Sequence, residues 1–172
     1  KECMEKQDSS GGVIECTVHG MPAGIGEPVF EKLDAVLAKA VMSIGAVKGV
    51  EIGDGFQAAT SHGSINNDAF TCENGSISKL TNHSGGILGG MSDGSDIVLR
   101  AAFKPTPSIS QVQQTVTTTS ENIDLSIHGR HDPIIVPRAV VVVESMVALT
   151  LIDLLFANMS SRLDKILSFY KR

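Results

Sequence analysis

The sequence predicts an α+β fold on three observations: separated runs in which apolar and polar residues alternate, one stretch with helically spaced apolar positions between residues 29 and 44, and a long apolar segment of helical period beyond Pro137. Its 172 residues suit one domain, and a 42% hydrophobic share is enough to bury a continuous core.

The elements follow in order. After Gly11 and Gly12, "VIECTVHG" sets Ile14, Cys16 and Val18 against Val13, Glu15 and Thr17, the period of two that makes a strand. "MPAGIGEP" breaks it. From Val29 to Ile44 the positions Phe30, Leu33, Val36, Leu37, Ala40, Val41 and Ile44 share one helical face, with Pro28 expected just inside the start and Gly45 just past the end. "AVKGVEIGDGF" reads as a strand interrupted by glycine, and alternation predicts another from about Asp96 to Phe103. Between them, residues 57–94 are polar and glycine-dense. That region reads either as a flexible loop or as backbone that approaches a ligand closely at "SGGILGGMSDG". "QVQQTVTTTSENIDLSIHG" leans to strand through its Thr and Val content. The segment from Arg138 to Phe169 is expected to be helical and buried, with a break near residues 158–161 and an amphipathic second half.

Charge excludes some partners. The chain has 14 Lys and Arg against 19 Asp and Glu, a net of -5, and its basic residues are scattered among acids, so no nucleic-acid surface is expected. The apolar stretch from Ala139 to Ala157 is interrupted by Glu144 and Asp153, so no membrane span is expected either. Cys3, Cys16 and Cys72 share no metal-ligand spacing and cannot all pair, which predicts free thiols and a cytoplasmic setting. The chain opens on Lys1, and its first twelve residues have no targeting character, so it reads as a piece of a longer protein.

Two polar stretches carry candidate chemistry. In "KPTPS", Lys104 to Ser108, the prolines at 105 and 107 remove two amide donors, so an ammonium and two hydroxyls stand on a segment that cannot continue a sheet. Such a set can grip a phosphate or the polar edge of a planar cofactor; an ordinary Pro-rich turn is the other reading. In "GRHDP", Arg130 and Asp132 are two apart and face one way if the segment is extended, while His131 faces the other. They either meet a charged ligand or form a structural salt bridge before a helix. The five histidines show no HxH or HExxH spacing, so no zinc or other metal site is expected, and no GxSxG, GxGxxG or GxxxxGK[ST] motif occurs.

Taken in order, "DSSGG" (8–12), "GIGEPVFEKLDAVLAKAVMSIGAVKGVEIGDGF" (24–56), "TNHSGGILGGMSDG" (81–94), "AAFKPTPSI" (101–109) and "GRHDPIIVPRAVVVVESM" (129–146) resemble the C-terminal half of the chorismate synthase family. The resemblance implies a β-α-β sandwich of antiparallel sheets enclosing long helices, with residues 1–172 a portion of one such domain. It implies a lyase that converts 5-enolpyruvylshikimate 3-phosphate to chorismate and phosphate by 1,4-anti elimination, with reduced FMN as cofactor and a homotetrameric assembly. Whether the flavin is reduced by a partner or by an intrinsic NADPH activity stays open. By motif, Asp132 matches the family's catalytic aspartate, and Gly45, Ala46, Gly89, Lys104, Pro105, Thr106, Pro107, Ser108 and Arg130 fall at flavin-binding positions. The family's two catalytic histidines, substrate-binding arginines and Arg-Ser-Ser motif have no counterpart here, so the resemblance implies that the segment alone has no turnover. A non-catalytic module that builds the oligomer is the competing expectation.

Overall fold

A computed structural model describes residues 1–129 and 131–171. Along the chain lie a short α1 (Glu2–Glu5), β1 (Gly12–Val18), α2 (Leu33–Met42), β2 (Val47–Ile52), a 3-10 segment at Gly55–Thr60 and the single turn α3 (Gly63–Asn66). The hairpins β3 (Phe70–Glu73)/β4 (Ser76–Lys79) and β5 (Ile87–Leu88)/β6 (Met91–Ser92) follow, then β7 (Ile97–Phe103), the hairpin β8 (Gln113–Val116)/β9 (Asn122–Leu125), α4 (Val136–Ser160) and α5 (Leu163–Tyr170).

Alternation builds the main sheet. β7 is its central strand, antiparallel to β1 on one side and β2 on the other, with Gly12 opposite Phe103 and Val18 opposite Ile97. Ile97, Leu99, Ala101 and Phe103 all point into the core from one face of β7. The opposite face carries Arg100 between Glu15 of β1 and Glu51 of β2, and its guanidinium lies 3.1 Å from Glu51 Oε2. A register shift between Val47 and Gly49 marks a bulge where β2 begins.

Helical spacing builds the second layer. α2 buries Leu33, Leu37 and Val41, and α4 buries Ala139, Val143, Val147, Leu151 and Leu154, one stripe each. α4 packs on β1, α2 on β2, and the two helices on each other. Full burial of each Val or Leu in this layer contributes about 1.5–3 kcal/mol. The result is an α+β arrangement with helices on one face of an antiparallel sheet.

Several expectations change. α2 starts at Leu33 rather than Val29: Phe30 is 87% exposed with φ of 64°, so it is not a core position, and the buried stripe begins only where the helix meets the sheet. Pro28 therefore lies outside the helix. The polar region 57–94 is not a plain loop but a 3-10 segment, a helical turn and two hairpins. α4 is buried along its stripe only, because the sheet covers one side of a helix that is apolar all round; Val140, Val141, Leu149, Ile152 and Phe156 are exposed. Among the described residues it is the one helix long and apolar enough to cross a membrane by length and composition. The expected break falls at Ser161 and Arg162, between α4 and α5.

Candidate active site

The prolines end β7 as their chemistry requires. Lys104 makes the last sheet-like bond, donating its backbone N–H to the Ala46 carbonyl at 2.9 Å, and the chain then leaves the sheet. Ala46 follows α2 and adopts φ of 71°, a left-handed conformation that costs an alanine about 1–2 kcal/mol. Such strain held by the surrounding structure is common where backbone meets a ligand. The carbonyl of Thr106 accepts from the Ser9 hydroxyl at 2.6 Å, and the Ser10 amide donates to the Pro133 carbonyl at 2.9 Å. Gly11 lies so close to the Phe103 carbonyl and Pro105 that any Cβ there would collide with backbone. Three segments far apart in sequence, 8–11, 104–108 and 131–133, are thus tied together at the end of the main sheet where β7 stops.

They enclose a cleft of about 180 Å³ lined by Asp8, Ser9, Ser108, His131, Asp132 and Pro133, among others. Asp132 Oδ2 accepts from Arg138 Nη1 at 2.7 Å, with the Asp132 side chain 35% and the Arg138 side chain 70% exposed. Ser108 Oγ lies 2.9 Å from His131 Nδ1. The Thr106 hydroxyl is buried with no hydrogen-bond partner among the described residues, the condition of a polar group that waits for a ligand atom.

Of the residues singled out from sequence, Ser108 and Asp132 line this cleft, Thr106 is tied to Ser9 beside it, and Ala46 meets Lys104 through the backbone where β7 ends, with Gly45 next to Ala46. Gly89 does not join them. It sits at the tip of the β5/β6 hairpin, where Gly89 and Gly90 have φ of 58° and 85°, as a two-residue turn of this kind demands. The Gly90 carbonyl accepts the Leu33 amide at the start of α2, while Ala46 follows its end, and ten helical residues span roughly 15 Å. Arg130 lies outside the described residues. The described cation that faces Asp132 is Arg138, in the first turn of α4, which sequence reasoning did not single out.

A second polar cluster was also missed. Lys79 Nζ, on β4, is 2.7 Å from Asp93 Oδ2, 3.4 Å from Asp68 Oδ2 and 2.9 Å from Ser84 Oγ, with all three charged side chains buried. Asp68 Oδ1 accepts from the Thr81 hydroxyl at 2.8 Å and the His83 amide at 2.7 Å. Burial alone would raise the Asp68 pKa, but the amides of Ser84 and His83 and the Thr81 hydroxyl outweigh it and hold the carboxyl well below the usual range. Asp93 shows the same balance: burial raises it, and bonds from Lys79 and the Ser95 amide bring it down. This network pins the β3/β4 hairpin to the glycine-rich loop. Among the described residues, no group of three or more His, Cys, Asp or Glu is placed to hold a metal ion.

Comparison with known proteins identifies the family. The sequence profile of a family described as chorismate synthase matches residues 1–156. A chorismate synthase of Lachnoclostridium phytofermentans is 65% identical across all of this chain and 47% of its own length. One of Archaeoglobus fulgidus is 63% identical over 147 residues, 85% of this chain and 41% of its own. A solved structure titled "Crystal Structure of Chorismate Synthase" superposes with a TM-score of 0.75 at 35% identity, over 92% of this chain and 40% of that one. The chain spans about half the length of the curated relatives it matches.

Proposed function

Because the chain belongs to the chorismate synthase family, we propose that it is the C-terminal portion of a flavin-dependent lyase that converts 5-enolpyruvylshikimate 3-phosphate to chorismate and phosphate in the shikimate pathway. The observation that carries the reading is the junction of segments 8–11, 104–108 and 131–133 around Asp132, held by the Ser9–Thr106 and Ser10–Pro133 hydrogen bonds. The residues present fit a flavin edge: an unpartnered Thr106 hydroxyl, an exposed Lys104 ammonium, and a strained Ala46 that shares a backbone bond with Lys104.

Ala46, Lys104, Thr106 and Ser108 would hold reduced FMN, with Gly45 in the same turn and Gly89 and Arg130 as further contacts. Bound there, a reduced flavin supplies electron density as the allylic C–O bond breaks. In the elimination, phosphate leaves with the electrons of that bond, and a ring C–H bond yields its electrons to the new double bond. Asp132 is the acceptor for the proton, through Oδ1, the oxygen that Arg138 does not hold. Arg138 orients the carboxylate. Lys104 supplies positive charge toward anionic groups.

The free thiols of Cys3, Cys16 and Cys72 support a cytoplasmic setting. The isolated chain is expected to have no turnover, since the relatives carry as much chain again. Anaerobic assay with reduced FMN and substrate, with and without the preceding half of a close relative added in trans, tests both statements. Chorismate from the chain alone would refute the second; failure of the combined halves to bind FMN would refute the first.

A second reading rests on the exposed apolar side of α4: the segment acts as an assembly module in a homotetramer. Sedimentation of the chain at several concentrations checks it, and a strict monomer that binds FMN once supplied with its other half would discard it.

A further inference from the structure

We propose that His131 is a positioning residue that fixes the hydrogen-bond direction of Ser108, and so decides which kind of ligand atom Ser108 can face. The inference rests on the reading that residues 104–108 line the flavin site. His131 Nε2 lies 3.1 Å from the Ile127 carbonyl, and Nδ1 lies 2.9 Å from Ser108 Oγ. A carbonyl can only accept, so Nε2 carries the proton of the neutral ring and Nδ1 is left as a lone-pair acceptor. Ser108 must then donate its single proton to Nδ1. Toward the cleft it offers lone pairs alone, which suit an N–H of a planar heterocycle and disfavour a phosphate oxygen. Protonation of the ring reverses this: Nδ1–H donates to Ser108 Oγ, and the hydroxyl proton turns outward to meet an anionic oxygen.

Among the described residues, the charged and titratable groups that share this cleft with the pair are Cys3 and Asp8 of the N-terminal segment and Asp132, which Arg138 of α4 holds. His131 itself touches no ligand in this scheme. It acts through Ser108.

The ring nitrogens can be read directly by 15N NMR on the flavin-free chain, with the His131 signals assigned by their loss in His131→Asn. The expected result above the imidazole titration is a proton on Nε2 and none on Nδ1, with Ser108→Ala shifting the Nδ1 signal while the tautomer persists. A proton on Nδ1, or ring signals indifferent to Ser108→Ala, overturns the proposal. FMN titrations against pH, on the chain joined by the other half, add a second arm. The wild type should show a step in affinity at the pH where the His131 ring titrates by NMR. His131→Asn, which keeps an acceptor near Nδ1 but cannot titrate, should bind FMN without that step, and a step that persists in it also overturns the proposal. No FMN binding at any pH would instead sink the flavin reading, while the ring-nitrogen result still decides the role of His131.

Discussion

Lys79 and Arg138 each hold a carboxylate at 2.7 Å, yet the two pairs live in different surroundings. Lys79 and its partners Asp68 and Asp93 are sealed inside the molecule, and amides, hydroxyls and an asparagine fill the remaining hydrogen-bond positions. Asp132 opens onto a cleft, and the buried Thr106 hydroxyl has no partner among the described residues. The first cluster is complete within this chain and acts as a clamp. The second opens to solvent beside a proline-stiffened turn, which is the exposure the proposed function requires of it.

The contrast can be broken most sharply at Lys79. Lys79→Met leaves two buried carboxylates with only the His83 imidazole, 2.8 Å from Asp68 Oδ1, beside them, and should cost about 3–5 kcal/mol of folding stability in urea unfolding. A loss under 1 kcal/mol would mean that the cluster is wetter than its geometry says.

Acid should separate the two regions next. Asp68 and Asp93 are held below their ordinary range when folded, so below about pH 4 the unfolded chain takes up protons more readily than the folded one. Their stabilisation is complete above the unfolded carboxyl pKa and fades as pH falls through and below it. Stability measured from pH 6 down to 2 should drop in that window, and Asp68→Asn should flatten the drop.

Thr106→Val is a finer probe. It replaces an unpartnered buried hydroxyl by an isosteric methyl, so the flavin-free chain should gain about 1 kcal/mol in thermal or urea unfolding, while flavin binding by the joined halves weakens. A stability loss would show that the hydroxyl already has a partner. The smallest effect is expected at Asp132: with so much of the pair exposed, Asp132→Asn should change stability by less than about 1 kcal/mol, yet abolish turnover in the joined protein.

The sheet and the long helices were legible because their signal is local. Ile14, Cys16 and Val18 alternate, Val143, Val147 and Leu151 repeat, and the small residues near Ser161 announce the break between α4 and α5. The start of α2 slipped because Phe30 fits the helical period but has nothing to pack against. The hairpin from Phe70 to Lys79 did carry a signal, the Asn74-Gly75 turn with both residues at positive φ, which a reading of the whole stretch as polar loop passed over. Lys79 and its two carboxylates were invisible for a different reason: polar residues 11 and 14 positions from the lysine read as surface until hairpins fold them inward. At the site, family resemblance marked the segments. The partnership of Asp132 with Arg138, and of Ser108 with His131, depends on how the chain turns around Pro133, which no periodicity encodes.

The strand order β1-β7-β2 also governs when this protein can fold. β1 begins at Gly12, but its neighbour β7 ends only at Phe103, and the helix packed on β1 begins only at Val136. During synthesis β1 must wait for β7 and then α4 to leave the ribosome, and the core closes only when Leu151 and Leu154 have followed. Premature termination before α4 would leave β1 without its helical cover, an apolar edge strand suited to aggregation and to proteolysis.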